Sequence, residues 1–290
     1  MHRRTTTIMT IALVAVVLLG SCRSDAVATQ PRLAVASFFP IAATLRALDP
    51  GVTVVDLTPP GVEPHDLELT TGEMDHLLDA RLVAVMGDGF QPAIERAVRN
   101  RGGNVVVVLD RLQVGSDPHV WLDPFLMRRV VRILASATSR ARPEARSAIA
   151  GRARGLDRQL VALDGAYRRG LAPCARRSIV TAHEAFGRLA RRYHLRQIPI
   201  VGISPDQEPD AQRLGDLADV VRRERVTTIF TEAQVSPRIA RTLAREAGVG
   251  TAVLDPIESP AHGRSFGDYV RAMQTNLRVL RRALGCQTVG

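Results

Sequence analysis

Leu82-Val83-Ala84-Val85-Met86 is an unbroken apolar run, followed by the amphipathic stretch Gln91–Arg99 and a second run, Val105-Val106-Val107-Val108-Leu109. A strand with one wet face alternates polar and apolar side chains. These runs do not alternate, so they read as strands buried on both faces and joined by a helix. Upstream, Leu33–Ser37 and Val52–Leu57 are further strand candidates, with helices over Pro40–Leu48 and Thr71–Asp79. The alternation then repeats: strands over Ser178–Thr181, Gln197–Val201, Thr227–Thr231 and Thr251–Leu254, helices over Phe186–His194, Asp210–Arg223, Arg238–Ala247 and Phe266–Leu284. The fold class is therefore α/β, with two parallel-sheet lobes expected over residues 33–123 and 170–290.

Between the lobes, residues 124–169 place apolar side chains at Val130, Ile133, Leu134 and Ala137, then at Leu156, Leu160 and Leu163, near the helical period. Asp123-Pro124 supplies a cap followed by proline at the first helical position. One long linking helix is expected, with Pro143 the place for a kink. A helix in place of a flexible linker implies lobes held at a nearly fixed angle.

Residues 1–21 read as an export signal. A short basic start carrying Arg3 and Arg4 precedes Ile8–Leu19, an apolar run too short to span a bilayer. Leu19-Gly20-Ser21-Cys22 looks like a bacterial lipobox, so Cys22 is expected to carry lipid and anchor the protein outside the cytoplasm, with residues 22–32 as a tether. An ordinary signal peptide with a chance cysteine is the alternative. With Cys22 used, Cys174 and Cys286 remain, and an even pair in an exported chain reads as a disulfide. The formal net charge of +10 is carried by arginine without a single lysine. These arginines are spread along helical stretches, and only 4% of residues are aromatic, so no nucleic-acid partner is expected.

Four residues sit in short contexts suited to holding a metal: His65 in Gly61-Val62-Glu63-Pro64-His65-Asp66, His119 in Asp117-Pro118-His119-Val120-Trp121-Leu122-Asp123-Pro124, His183 in Thr181-Ala182-His183-Glu184-Ala185-Phe186, and Asp255 in Leu254-Asp255-Pro256. All four fall at or just beyond strand ends, where ligands bind in open α/β sheets. Three imidazoles and one carboxylate form the kind of four-donor set that Zn²⁺ takes. Each residue taken singly also has an ordinary reading: a turn histidine, a helix-entry residue, a helix N-terminal group and an N-cap. His76, His194 and His262 have no motif around them.

The Gly61–Asp66 string resembles the Gly-x-x-Pro-His motif of the solute-binding proteins that serve zinc and manganese ABC importers. The Asp117–Pro124 string is similar to that family's Asp-Pro-His-x-Trp segment, and Thr181–Phe186, Phe230-Thr231-Glu232 and Leu254-Asp255-Pro256 follow in the family's order. The resemblance spans about Leu33 to Leu284. It implies two α/β lobes bridged by a long helix, with a metal between them on His65, His119, His183 and Asp255, and monomeric delivery to a membrane permease. Val108–Pro118 lacks the His-rich loop common in zinc members, whereas His183 stands where manganese members look to have a carboxylate. A nitrogen-rich set favours Zn²⁺ over Mn²⁺. Glu232 and Glu208 also resemble family positions and are candidates for orienting ligand imidazoles, a surface salt bridge being the alternative for Glu232. Two other classes remain: a metal-stabilised adhesin, and a zinc hydrolase using Glu184 as base. Against the hydrolase, the chain has no His-Glu-x-x-His or Gly-x-Ser-x-Gly motif.

Overall fold

The computed structural model describes residues 33–203, 209–233, 236–259 and 263–287. The leader and tether with Cys22 lie outside these residues, as do Glu208 and His262. Residues 31–290 form one compact unit.

The first lobe holds β1 (Leu33–Ala36), α1 (Phe39–Leu48), β2 (Thr53–Asp56), α2 (Thr71–Asp79), β3 (Leu82–Val85), α3 (Pro92–Arg99), β4 (Val105–Val107) and α4 (Val108–Leu112). Its strands are all parallel, in the order β2-β1-β3-β4. The inner strand β3 is buried at every residue and the edge strand β2 is not, as continuous and interrupted apolar runs respectively require. The run Val105–Leu109 is shorter as a strand than expected. Val108 and Leu109 open α4, where both are still buried; their apolarity serves burial rather than strand geometry.

The linking segment departs from the single helix expected over 124–169. α5 (Pro124–Ala141) stops at Arg142, whose φ of −135° and ψ of 72° leave the helical region, as the ring of the following Pro143 demands. After a single 3-10 turn, α6 (Arg146–Leu171) folds back along α5. Arg128 and Asp157 form a two-pronged ion pair at 2.7 and 3.1 Å; one continuous helix would hold them about 40 Å apart. The long connecting helix is thus α6 alone, 26 residues or about 39 Å.

The second lobe repeats the first with β5 (Ser178–Thr181), α7 (Gly187–Arg192), β6 (Arg196–Pro199), α8 (Ala211–Arg223), β7 (Thr228–Thr231), α9 (Arg238–Ala247), β8 (Gly250–Val253) and α10 (Phe266–Leu284). Its parallel order is β6-β5-β7-β8. The disulfide expected from the cysteine count is present, joining Cys174 after α6 to Cys286 after α10. No helix among the described residues is long and apolar enough to cross a membrane.

One contiguous core runs through both lobes, from Ala34, Phe38 and Leu45 through Leu134 and Leu160 to Phe186, Leu189 and Leu280. Three buried hydrogen bonds cross it. The Trp121 indole donates to the Pro256 carbonyl at 2.7 Å, the Tyr269 hydroxyl to the Trp121 carbonyl at 2.6 Å and the Tyr167 hydroxyl to the Met273 carbonyl at 2.7 Å. The outer face of each sheet has its own smaller core.

Candidate metal centre

Both sheets open their carboxyl-end loops toward the cleft, and the loops deliver four side chains to one point. His65 follows β2, His119 lies between α4 and α5, His183 comes two residues after β5, and Glu258 comes five residues after β8. One ligand atom from each of the four lies within 4.8 Å of the other three. Glu258 Oε1 is 3.3 Å from His119 Nε2 and 3.8 Å from His183 Nε2. None of these three atoms makes a hydrogen bond, although all are buried. Buried polar atoms are ordinarily satisfied; donors aimed at a common centre rather than at each other give this pattern. Phe90 meets the His65 ring edge-on at 4.7 Å and Trp121 lies 5.1 Å from the His119 ring, so one wall is apolar.

Carboxylates behind the rings fix their orientation. His119 Nδ1 donates to Asp117 Oδ1 at 3.0 Å, and His183 Nδ1 to the two Glu232 oxygens at 2.8 and 2.7 Å. A proton held on Nδ1 turns Nε2 toward the cluster, where it offers its lone pair once the ring is neutral. The His183 carbonyl in turn accepts from Thr181 Oγ1 and Gln197 Nε2. Asp117 is itself gripped from the second lobe: Arg188 of α7, 8% exposed, donates to the carbonyls of Val114, Gly115 and Asp117. The loop leading to His119 is thereby pinned to the helix that follows His183.

Asp255 is not brought into the cluster, and Glu258 stands in its place. The reason lies in the turn between them. Asp255 Oδ1 accepts from the Ile257 amide at 2.7 Å, and Asn276 brackets the Asp255 backbone, accepting from its amide at 3.0 Å and donating to its carbonyl at 2.6 Å. Ile257 takes φ +60°, and this left-handed step swings the chain so that Glu258, 1% exposed, enters the cleft. Asp-Pro therefore builds the approach rather than supplying the donor.

Burial and mutual charge set the protonation of the group. Burial lowers the His183 pKa, but Glu232 and Glu258 outweigh it and raise it to about 10. His119 is likewise raised, Asp117 and Glu258 overcoming burial. Burial pushes the Glu258 carboxyl up, while the facing His119 and His183 hold it below the usual carboxylate range. Glu63, beside His65, is pushed up to about 8 by burial and by the negative charge of Glu258. Asp255 is raised to about 6, mainly by burial.

The three histidines singled out in the sequence meet at the site, and Glu232 lies where it orients one of them. Glu184 is exposed, and so are His76 and His194. Three residues escaped the sequence reading. Asp117 was visible inside its motif but given no role. Glu258, between Ile257 and Ser259, and Arg188, between Gly187 and Leu189, had no distinctive local signal.

The sequence profile of the family "zinc-uptake complex component A, periplasmic" matches residues 34–283. The zinc-binding lipoprotein AdcA of Streptococcus pneumoniae serotype 4 is 38% identical over 168 residues, 57% of this chain and 34% of the relative. The chain thus aligns with about a third of that relative's length. The high-affinity zinc uptake system protein ZnuA of Bacillus subtilis is 29% identical over 277 residues, 86% of each chain. Among solved structures, the laminin-binding protein of Streptococcus agalactiae, described as bifunctional with adhesin and metal-transporting activity, superposes with a TM-score of 0.81. It is 26% identical, over 87% of this chain and 99% of that one. With a profile match across nearly all of both lobes, the chain belongs to the family of periplasmic zinc-uptake complex component A proteins.

Proposed function

We propose that the protein is an extracytoplasmic zinc receptor that captures Zn²⁺ in the inter-lobe cleft and hands it to an ABC import permease. The observation that carries this reading is the buried convergence of His65, His119, His183 and Glu258 within 4.8 Å. Three neutral imidazoles and one carboxylate suit Zn²⁺ better than the harder, oxygen-preferring Mn²⁺. Four protein donors fill a tetrahedral shell and leave no position for a reacting water, which favours a carrier over a hydrolase. Glu184, the base a hydrolase would need, is exposed. The names of the Streptococcus pneumoniae and Bacillus subtilis relatives point to the same cargo. In this reading Cys22 carries the lipid anchor, Glu232 and Asp117 orient the ligand rings, and the receptor works as a monomer.

Native mass spectrometry of the exported protein exposed to equimolar Zn²⁺ and Mn²⁺ tests the proposal. One zinc per chain and no manganese is expected; preferential manganese uptake, or no metal at all, overturns it.

A further inference from the structure

The Asp255–Ser259 segment leaves the second lobe and crosses to the first. There Ser259, 1% exposed, bonds one turn twice: its hydroxyl accepts from the Gly61 amide at 2.8 Å and donates to the Pro59 carbonyl at 3.0 Å. These partners are 198 and 200 residues away in sequence. The turn opens the loop that carries His65 four residues later, and Ser259 directly follows Glu258. One hydroxyl therefore joins two donor-bearing loops from opposite lobes.

The tie lies beside the least buried donor. His65 is the least buried of the four donors, with its side chain 7% exposed against 0% for His119 and His183 and 2% for Glu258. His119 is backed by Trp121 and pinned through Asp117 by Arg188, so that side is closed. The segment also sits in a conformation that does not hold itself. A left-handed Ile257 is costly for a β-branched residue and persists only where its surroundings over-determine it. Its restraints are the Asp255 and Asn276 bonds on the second lobe, and the Trp121–Pro256 and Ser259 bonds to the first. Losing the Ser259 bonds removes the restraint that ties this segment to the His65 loop.

We propose that Ser259 is the positioning residue that latches the His65 loop to the Glu258 loop, and that the opening of this latch sets the rate of metal release. The inference rests on the zinc-receptor reading, and the test separates the two. Zinc-loaded wild type, Ser259→Ala, Ser259→Thr and Thr275→Ala are mixed with excess chelator and release is followed with time. Thr275 is an exposed α10 residue whose hydroxyl bonds only within its own helix. With two neutral hydrogen bonds lost, Ser259→Ala should release zinc about 10-fold faster. It should keep one zinc per chain and an unchanged visible spectrum of its Co²⁺ form. Ser259→Thr, which retains the hydroxyl, should restore the slow rate, and Thr275→Ala should not depart from it. In metal-free protein, hydrogen exchange of the Gly61 amide should accelerate in Ser259→Ala. Release at the wild-type rate, a shifted cobalt spectrum, or equal acceleration in Thr275→Ala overturns the latch. A wild type that takes up no zinc overturns the receptor reading, and the Gly61 exchange still decides the latch: unchanged protection refutes it.

Discussion

Zinc binding should expel protons well above neutral pH, and Glu232 should control one of them. An imidazole must be neutral to ligate a metal, yet in the metal-free protein Glu232 and Glu258 outweigh burial and raise His183 to about 10. At pH 7 that ring is therefore protonated, so zinc must displace its proton. Apparent affinity should then climb about tenfold, or 1.4 kcal/mol, for each pH unit up to about 10. It should fall equally as pH drops. His119 is raised as well and adds to the slope wherever it is still protonated. Isothermal titration in buffers of different ionisation enthalpy counts the protons; at pH 8 at least one per zinc is expected. Glu232→Gln removes the carboxylate bonded to His183 Nδ1 while leaving His119 and Asp117 untouched. Only Glu258 then opposes burial at His183, which lowers its pKa, and the variant should release fewer protons than wild type at the same pH. Zero net release by the wild type, or identical release by the variant, would refute the reasoning.

Glu258→Gln should weaken zinc binding by about 100-fold or more, whereas Asp255→Asn, which keeps an acceptor for the Ile257 amide, should change it by no more than about threefold; competition titrations decide, and the reverse ranking would return the fourth donor to Asp255. His119→Ala and His183→Ala should lose zinc by orders of magnitude while the exposed His76→Ala binds as wild type. Cys286→Ser opens a bridge between residues 112 apart and should cost about 2–5 kcal/mol, read as a melting temperature lower by roughly 10 °C. Saturating zinc at a thousand times Kd should add about 4 kcal/mol to stability in calorimetry, and an unchanged melting temperature would count against a native-state site.

The strands were legible because inner strands of a parallel sheet are buried on both faces, which makes Leu82–Val85 wholly apolar and leaves Ile179-Val180 as the apolar centre of Ser178–Thr181. Val108 and Leu109 were misread because burial demands the same side chains of a helix as of a strand. The break at Arg142 had a clear signal, since a residue before proline is disfavoured in a helix, but the apolar period on either side masked it. What no period can show is that α5 folds back along α6; that contact is non-local. His65 and His119 were legible because proline, and for His119 also tryptophan, stand beside them, and His183 because it comes two residues after a strand with an apolar centre. Glu258 was not, because its position depends on a left-handed Ile257, and nothing about isoleucine in a sequence announces positive φ. Asp255 drew the eye for a sound reason: Asp-Pro marks where a loop is shaped, one step short of where it is used.

The shared core has a consequence for how this protein can come apart. Tyr167 of α6 stacks on Tyr193 just after α7 at 5.0 Å between ring centroids, and α10 packs on both α6 and α1. Neither half owns the residues that would cover its inner surface. Expressed alone, residues 33–171 would bare Trp121 and Leu160, and residues 172–290 would bare Phe186 and Tyr269. The halves are therefore not autonomous folding units despite their repeated topology. Heating should melt them in a single cooperative transition, and the hinge freedom available to lobes with separate cores is denied to this pair.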